Sequence, residues 1–376
     1  MPAFPTYGPE EIGALNKVAG AVLGVFDKRG YTRLEPAILQ PAQIFVDRSG
    51  EEIRRRTFEL TDPSGRELCL RPDLTIPTCK WQVESGGAYP ARLCYHGLAF
   101  RHAPGAGEFY QAGAELLGLA DRAAGDVEMM SLTAEALRAA GLTEFDMIVG
   151  DLGLFATLVD ALDVPAQWRG RLKRNFWRSG YFEALLARMV AGGTNEAQRA
   201  VDALHGLKLM DLKPAIEALI DKEGDAPLGG RTREEIVERL TIQASDGAAP
   251  RLDADVAEMI TAFLKVSGPG EAALEDIRTL TKPVAAKMVK PLAAMAERLR
   301  ALKGLGIPPE RIRFVAHFGR NLEYYTGFVF EFWARAGEVA GGGRYDTLLE
   351  SLGAPRGTTA IGCAIRTERL VKARGL

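Results

Sequence analysis

The chain has 376 residues, of which 47% are hydrophobic and 26% are charged. This composition is typical of folded globular proteins and excludes disordered, collagen-like and disulfide-scaffold chains. Lysine and arginine number 47, while aspartate and glutamate number 49, so the formal net charge is −2 and the basic excess of many nucleic-acid-binding proteins is missing.

The cysteines and the hydropathy pattern indicate the environment of the protein. Cys69, Cys79, Cys94 and Cys363 lie in hydrophobic surroundings without metal-site spacing, which predicts buried, reduced thiols and no bound metal. The sequence contains no run of about 18 apolar residues, so we expect no membrane span and a cytoplasmic protein.

The first part of the chain alternates predicted helices and strands. Apolar residues at helical spacing, the last of them Phe26, predict a helix that begins at Pro9 and ends near Gly30. The turn sequence Asp62-Pro63-Ser64-Gly65 predicts a hairpin. The other predicted elements are strands at 31–36, 57–61, 67–70, 91–101 and 112–118, a helix at 126–140 and a strand at 145–149.

The pattern changes between residues 151 and 309, where alanine- and leucine-rich helical segments predominate. We interpret 151–309 as a helical insertion that interrupts a core formed by residues 1–150 and 310–376. The insertion ends with a predicted helix at 291–303, for which Pro291 suits the first turn.

Strand periodicity returns after the insertion, at 312–318 and 328–333. The run Gly341-Gly342-Gly343 then precedes a helix-like segment. Such a run is either a phosphate-cradling loop or, more commonly, an ordinary turn.

Several short motifs are weak signals singly, but their order is informative. In chain order they are Leu70-Arg71-Pro72-Asp73-Leu74-Thr75, Phe100-Arg101, Gln111-Ala112-Gly113-Ala114-Glu115, Arg320-Asn321-Leu322-Glu323-Tyr324-Tyr325, the run 341–346 and the run 362–370. This set resembles the catalytic domain of histidyl-tRNA synthetase, a class II aminoacyl-tRNA synthetase. The resemblance implies an α+β fold, in which an antiparallel sheet is flanked by helices and the helical insertion is added. No anticodon-binding domain is expected, because the chain ends soon after Arg369.

In the synthetase family these motifs form the histidine pocket. The resemblance therefore implies a histidine-binding set of Asp73, Thr75, Gln111, Glu115, Arg320 and Tyr324. The side-chain chemistry is suitable for this ligand: carboxylate, hydroxyl and amide oxygens accept from an ammonium group, a guanidinium pairs with a carboxylate, and Glu115 with Tyr324 could bracket an imidazole.

The residual nucleotide site departs from the synthetase pattern. Arg101 and Arg369 are retained, but Ala103 stands where the family has a glutamate, and no lysine or arginine occurs between Arg101 and Arg122. Binding of a triphosphate normally requires several positively charged side chains around the phosphate groups. Arg366 also replaces a small residue, and its side chain is expected to fill space that a nucleotide needs. We therefore predict no catalytic residues, no cofactor and no independent enzyme activity.

A synthetase-like chain with a histidine pocket and a weakened nucleotide site resembles the regulatory subunits of ATP phosphoribosyltransferase. That resemblance implies a self-dimer within a hetero-oligomer containing a short-form catalytic subunit. Histidine would act as the feedback effector of the first step of histidine biosynthesis, and no tRNA would bind. Two alternatives remain open from the sequence: an active histidyl-adenylate-forming enzyme, favoured by Arg101 and Arg369, and a structural scaffold with a vestigial pocket.

Overall fold

The computed structural model of the chain describes residues 6–46, 53, 55–102, 107–176, 179–191, 214, 217, 251–319, 324–335 and 337–375. The strands are β1 (Thr32–Arg33), β2 (Leu39–Pro41), β3 (Phe58–Thr61), β4 (Glu67–Leu70), β5 (Ala91–Phe100), β6 (Glu108–Leu117), β7 (Asp146–Asp151), β8 (Ser267–Pro269), β9 (Ile312–Val315), β10 (Phe328–Ala334), β11 (Gly337–Arg344) and β12 (Ala360–Arg366). The α-helices within these residues are α1 (Pro9–Lys28), α2 (Gln43–Val46), α3 (Thr75–Glu84), α4 (Arg122–Ala139), α5 (Leu152–Ala161), α6 (Ala166–Asn175), α7 (Ser179–Ala191), α8 (Ala254–Lys265), α9 (Gly270–Leu280), α10 (Ala285–Gly304), α11 (Asp346–Ser351) and α12 (Thr367–Ala373).

Nine strands form the main sheet, in the order β1-β5-β6-β12-β11-β10-β7-β9-β8, and β2-β4-β3 form a second, small sheet. Most neighbours in the main sheet are antiparallel, but β1 pairs with β5 and β7 pairs with β9 in parallel. The sheet is therefore mixed, which corrects the expected antiparallel sheet. Parallel pairs arise because a long crossover separates each strand from its neighbour in the sequence.

The first helix confirms the predicted start and end signals. The Glu11 carboxylate accepts a hydrogen bond of 2.8 Å from the backbone N–H of Gly8, and Pro9 opens the helix. One face of α1 is buried, and it carries Leu15, Val18, Ala19, Val22, Val25 and Phe26. Gly30 follows with φ of +77°, a conformation that glycine adopts at helix ends.

The chain divides into two compact units, one of residues 1–158 and 263–376 and one of residues 159–262. The predicted insertion of 151–309 is therefore too long, chiefly at its C-terminal end. Helices α9 and α10 belong to the first unit, and β8 pairs with β9 of the main sheet. Amphipathic periodicity predicts that one face of a helix is buried, but it does not show to which unit the helix belongs. Much of 159–262 lies outside the described residues, so its helical character stays a prediction.

Two smaller expectations are also corrected. The run Gly341-Gly342-Gly343 lies inside strand β11, between β10 and β12, and is neither a turn nor a phosphate loop. Pro291 lies inside α10 and not in its first turn, because that helix already begins at Ala285. None of the described helices is long and apolar enough to cross a bilayer. All four cysteines are buried free thiols, as predicted.

A buried ionic network joins α4, α10 and β11 behind the main sheet. Asp126 of α4 is fully buried and accepts hydrogen bonds from Arg298 of α10 (2.7 Å) and from Arg344 of β11 (2.6 and 3.0 Å). Arg298 also donates to Asp151, at 3.0 Å. The network holds the Arg344 side chain against Asp126, and it thereby positions the next residue, Tyr345.

We expect Arg298→Met to lower the free energy of unfolding by about 3–5 kcal/mol, because it leaves Asp126 and Asp151 without one of their buried partners. Chemical denaturation followed by circular dichroism measures this change. Arg300→Met is the matched control, since Arg300 is exposed on the same helix, and its effect should stay within about 0.5 kcal/mol. Equal effects of the two variants would contradict a stabilising role for the network.

Candidate functional site

The first unit contains a cavity of about 490 Å³ above the middle of the main sheet. Five of the six predicted histidine-binding residues line it: Asp73, Thr75, Gln111, Glu115 and Tyr324. Arg101 and Arg369, predicted as the residual nucleotide site, also line it. The sixth predicted histidine contact, Arg320, lies outside the described residues, as does Ala103.

Strand register explains how residues distant in sequence form one cavity floor. Gly362 and Ala364 of β12 lie opposite Glu115 and Gly113 of β6, and Tyr95 of β5 also lies opposite Gly113. Cross-strand partners project from the same side of a sheet. A Cβ at Gly362 would collide with the Glu115 carboxylate, and a Cβ at Gly113 would collide with the Tyr95 ring. The floor therefore depends on glycine at both positions.

Glu115 is fully buried beneath the cavity and is held by hydroxyl groups. The Tyr95 hydroxyl donates to its carboxylate at 2.9 Å, and the Tyr345 hydroxyl donates to the other carboxylate oxygen. Burial raises the pKa of Glu115 to about 8, although these hydrogen bonds oppose the shift. At neutral pH the group is thus mainly a neutral acid, which can either donate a proton or accept one after ionising.

Asp73 supplies a second buried carboxyl group at the start of α3. One of its oxygens accepts the backbone N–H of Ile76 at 3.0 Å, as in a helix cap. Its other oxygen, Oδ2, is the one buried side-chain nitrogen or oxygen in the described part of the chain without a hydrogen-bond partner. Burial raises the pKa of Asp73, and the nearby Arg101 opposes that shift. Unpartnered buried oxygens are costly, so this atom favours a ligand with a hydrogen-bond donor.

A chain of polar side chains extends from Glu115 along the cavity. The Tyr95 hydroxyl lies 3.2 Å from the hydroxyl of Thr75 and accepts from the Gln111 amide at 3.3 Å. Tyr324 is buried at the side of the cavity, with its ring centre 5.6 Å from that of Tyr345 in an edge-to-face contact. Burial raises the pKa of Tyr324 well above its usual value, so its hydroxyl keeps its proton.

Three arginines and one aromatic ring form the other end of the cavity. Arg101 donates to the carbonyl of Pro72 at 2.7 Å, and Arg369 pairs with Glu338 at 3.2 Å. The guanidinium of Arg366 lies over the ring of Phe109, 3.3 Å from its centre. The side chain of Arg366 therefore occupies this end, as the sequence predicted.

Sequence reasoning did not identify Tyr95, Tyr345 or Phe109 as parts of the site. Tyr95 lies within a strand of ordinary apolar pattern, and its link to Glu115 appears only through the register of β5 and β6. Tyr345 follows the glycine run 341–343, and the composition of that run is typical of a turn. One signal was available for Phe109: it lies two residues before Gln111 and so on the same side of β6.

Comparisons with known proteins identify the family of the chain. The family model for histidyl-tRNA synthetase matches residues 4–242 and 216–370. The ATP phosphoribosyltransferase regulatory subunit of Brucella anthropi is 34% identical over 363 residues, covering 94% of this chain and 96% of that protein. The protein of the same name from Mesorhizobium japonicum is 35% identical over 361 residues, with coverage of 94% and 96%.

Solved structures share the fold at lower sequence identity. An ATP phosphoribosyltransferase regulatory subunit/histidyl-tRNA synthetase from Bacillus halodurans superposes with a TM-score of 0.69 at 24% identity, covering 98% of this chain and 81% of that one. Histidyl-tRNA synthetase from Nostoc superposes with a TM-score of 0.64 at 16% identity, covering 98% and 73%. The predicted class II synthetase-like fold is thereby confirmed. From the identity and coverage of its curated relatives, the chain belongs to the family of ATP phosphoribosyltransferase regulatory subunits.

Proposed function

We propose that this chain binds free histidine in the cavity and regulates a separate, short-form catalytic subunit of ATP phosphoribosyltransferase. Binding of histidine would inhibit the assembled enzyme, and the chain would have no catalytic activity of its own. The observation that carries the proposal is the unpartnered buried oxygen of Asp73, which lines the same cavity as the buried acid Glu115.

The cavity is complementary to histidine at both ends of the ligand. The ammonium group can donate to Asp73 Oδ2, to the Thr75 hydroxyl and to the Gln111 amide oxygen. The imidazole can pair with Glu115, which holds one proton at neutral pH and can exchange it with a ring nitrogen. An isosteric ligand without ring nitrogens would leave Glu115 facing an apolar group, and this mismatch would select against it.

Regulation requires that histidine bind one state of the assembly more tightly than another. A coupling free energy of about 1–3 kcal/mol, or roughly 5- to 150-fold in affinity, is sufficient for useful inhibition. Tyr345 is the structural link that supports such coupling. Its hydroxyl contacts Glu115 in the cavity, while its neighbour Arg344 is fixed by Asp126 in the network behind the sheet.

The activity of a reconstituted complex tests the proposal. This chain would be co-purified with the catalytic subunit, and phosphoribosyl transfer to ATP would be measured against histidine concentration. We expect inhibition by histidine, which Glu115→Ala greatly weakens. Equal histidine sensitivity of the wild-type and Glu115→Ala complexes would instead favour a scaffold with a vestigial pocket.

Arg101 and Arg369 line the cavity and favour a second candidate, an enzyme that forms histidyl-adenylate. Histidine-dependent exchange of pyrophosphate into ATP distinguishes the two candidates. We expect no exchange above the background of a protein-free control, and measurable turnover by the purified chain would contradict the regulatory assignment.

We expect Asp73→Asn to weaken histidine binding by about 10- to 100-fold, because a hydrogen bond to a charged group contributes roughly 1.5–3 kcal/mol. The amide oxygen of asparagine can still accept the Ile76 N–H, so this contact at the helix start is kept. Calorimetric titration measures the affinity, with Asp146→Asn, at an exposed strand position, as the matched control.

A ligand analogue isolates the contact. Imidazolepropionate is histidine without the amino group, so it should bind the wild type and Asp73→Asn with equal affinity. If the substitution weakens both ligands equally, Asp73 does not contact the ammonium group.

The pKa of Glu115 predicts how histidine affinity depends on pH. Between about pH 6.5 and 8 the free acid holds one proton and a free imidazole holds none, so a complex that shares one proton forms without proton exchange. Above pH 8, Glu115 is ionised and binding must take up a proton. Affinity should then fall, approaching tenfold per pH unit.

Glu115→Gln is the control for this pH dependence, because the amide does not titrate. Deprotonation of the ligand's own ammonium group affects both proteins equally, so the ratio of the two affinities reports Glu115 alone. We expect the ratio of wild-type to variant association constants to be nearly constant up to about pH 7, to have fallen about twofold by pH 8, and to decline further above it. A ratio that stays constant to pH 9.5 would show that the Glu115 proton takes no part in binding.

A further inference from the structure

Arg71 is a buried arginine two residues before Asp73, and 2% of it is exposed. Within the described parts of the chain it forms no ion pair, and the negative charge of Glu35 acts on it from beyond ion-pair distance. A buried charge is costly unless other groups compensate it. The groups that surround this guanidinium therefore indicate its role.

The partners of Arg71 are main-chain groups of two separate segments. Its guanidinium donates to the carbonyl of Leu98 near the end of β5, at 2.7 Å, and to the carbonyl of Pro36 between β1 and β2. The backbone of residue 71 binds the same two segments. Its N–H donates to the carbonyl of Ile38 at 3.0 Å, and its carbonyl accepts the N–H of Phe100 at 3.0 Å. Residue 71 is thus fixed by both its side chain and its backbone.

Strand β5 leaves space for the Arg71 guanidinium at one position, Gly97. A Cβ at Gly97 would collide with Nη2 of Arg71. Gly97 is also the cross-strand partner of Gln111, which lines the cavity. The guanidinium is therefore held beside the strands that form the cavity floor, although Arg71 itself does not line the cavity.

The fixed position of Arg71 determines where Asp73 lies. The carbonyl of the intervening residue, Pro72, accepts a hydrogen bond of 2.7 Å from Arg101. Burial raises the pKa of Asp73, and the positive charge that opposes this shift is that of Arg101. Arg71 is therefore suited to affect Asp73 through the geometry of the segment 71–73, while Arg101 supplies the nearby charge.

We infer that Arg71 is a positioning residue for the ammonium end of the histidine site. By binding Pro36 and Leu98 it holds the segment 71–73 in place, so that the unpartnered oxygen of Asp73 is presented to the cavity. Hydrogen bonds weaken steeply as distance and angle depart from the optimum, so a small shift of Asp73 weakens its contact with an ammonium group. The inference rests on the proposed function and adds a residue that does not touch the ligand.

Two variants disturb this guanidinium from different elements. Arg71→Lys keeps the positive charge, but an ammonium group lacks the planar fork that binds two carbonyls. Gly97→Ala keeps Arg71, and the added Cβ displaces its guanidinium, which is the flexible end of the side chain. Either variant can test the inference if the other does not fold.

Calorimetric titration with histidine and with imidazolepropionate, which lacks the amino group, separates positioning from general structural damage. We expect both variants to lower the ratio of histidine affinity to imidazolepropionate affinity by about tenfold, with imidazolepropionate affinity unchanged within about twofold. Partial unfolding affects both ligands equally and leaves the ratio unchanged. Arg66→Lys, at an exposed position of the hairpin, is the matched control and should bind both ligands like the wild type.

A double-mutant cycle shows whether Arg71 acts through Asp73. In the Asp73→Asn background, Arg71→Lys should lower histidine affinity by no more than about twofold further, because the contact that it positions is already lost. Losses that multiply in the double variant would overturn the inference.

The titrations also separate this inference from the proposed function. If the wild type binds histidine and both folded variants keep the wild-type ratio of the two affinities, the positioning role is wrong and the proposed function stands. Equal losses for the two ligands have the same meaning. A wild-type chain that does not bind histidine overturns both.

Discussion

The burial of one carboxyl group, Glu115, constrains the whole centre of the main sheet. A buried acid is tolerated when hydroxyl groups donate to it, and here Tyr95 of β5 and Tyr345, which directly follows β11, supply them. The Tyr95 ring fits because residue 113 opposite it is glycine, and the carboxylate fits because residue 362 is glycine. Each of these residues is explained by the others, so none can be exchanged alone. This interdependence accounts for a glycine-rich set of central strands, where glycine is normally unfavourable.

Tyr345 transmits that constraint to the back of the sheet. Its neighbour Arg344 is buried against Asp126, which also binds Arg298 of α10. A ligand that changes the protonation or position of Glu115 acts directly on the Tyr345 hydroxyl. Any displacement of β11 then meets a buried ionic network, whose partial disruption is costly. Such an arrangement favours two discrete states over gradual deformation, which is the physical requirement for a regulatory switch.

The sequence predicted those features whose signal is local. The first helix and the hairpin around Asp62–Gly65 depend on few distant contacts, so the sequence predicted them. The short motifs were also recognisable locally, and five of their residues lie together in one cavity. Features set by register were not predictable. Gly341–Gly343 has the composition of a turn but lies in a strand because β10 and β12 enclose it. Tyr95 is part of the site because of the register of β5 and β6, which the sequence does not show. The periodicity of α9 and α10 predicts helices but does not show to which unit they belong.

The two ends of the cavity differ in how their polar groups are partnered. At one end, burial leaves Asp73 Oδ2 without a hydrogen-bond partner, a cost that a bound donor would remove. At the other end, the guanidinium of Arg366 covers Phe109, and Arg101 and Arg369 also line the cavity. Under the proposed function, the ammonium group of the ligand would therefore be held at the Asp73 end, because the buried acceptor without a partner lies there.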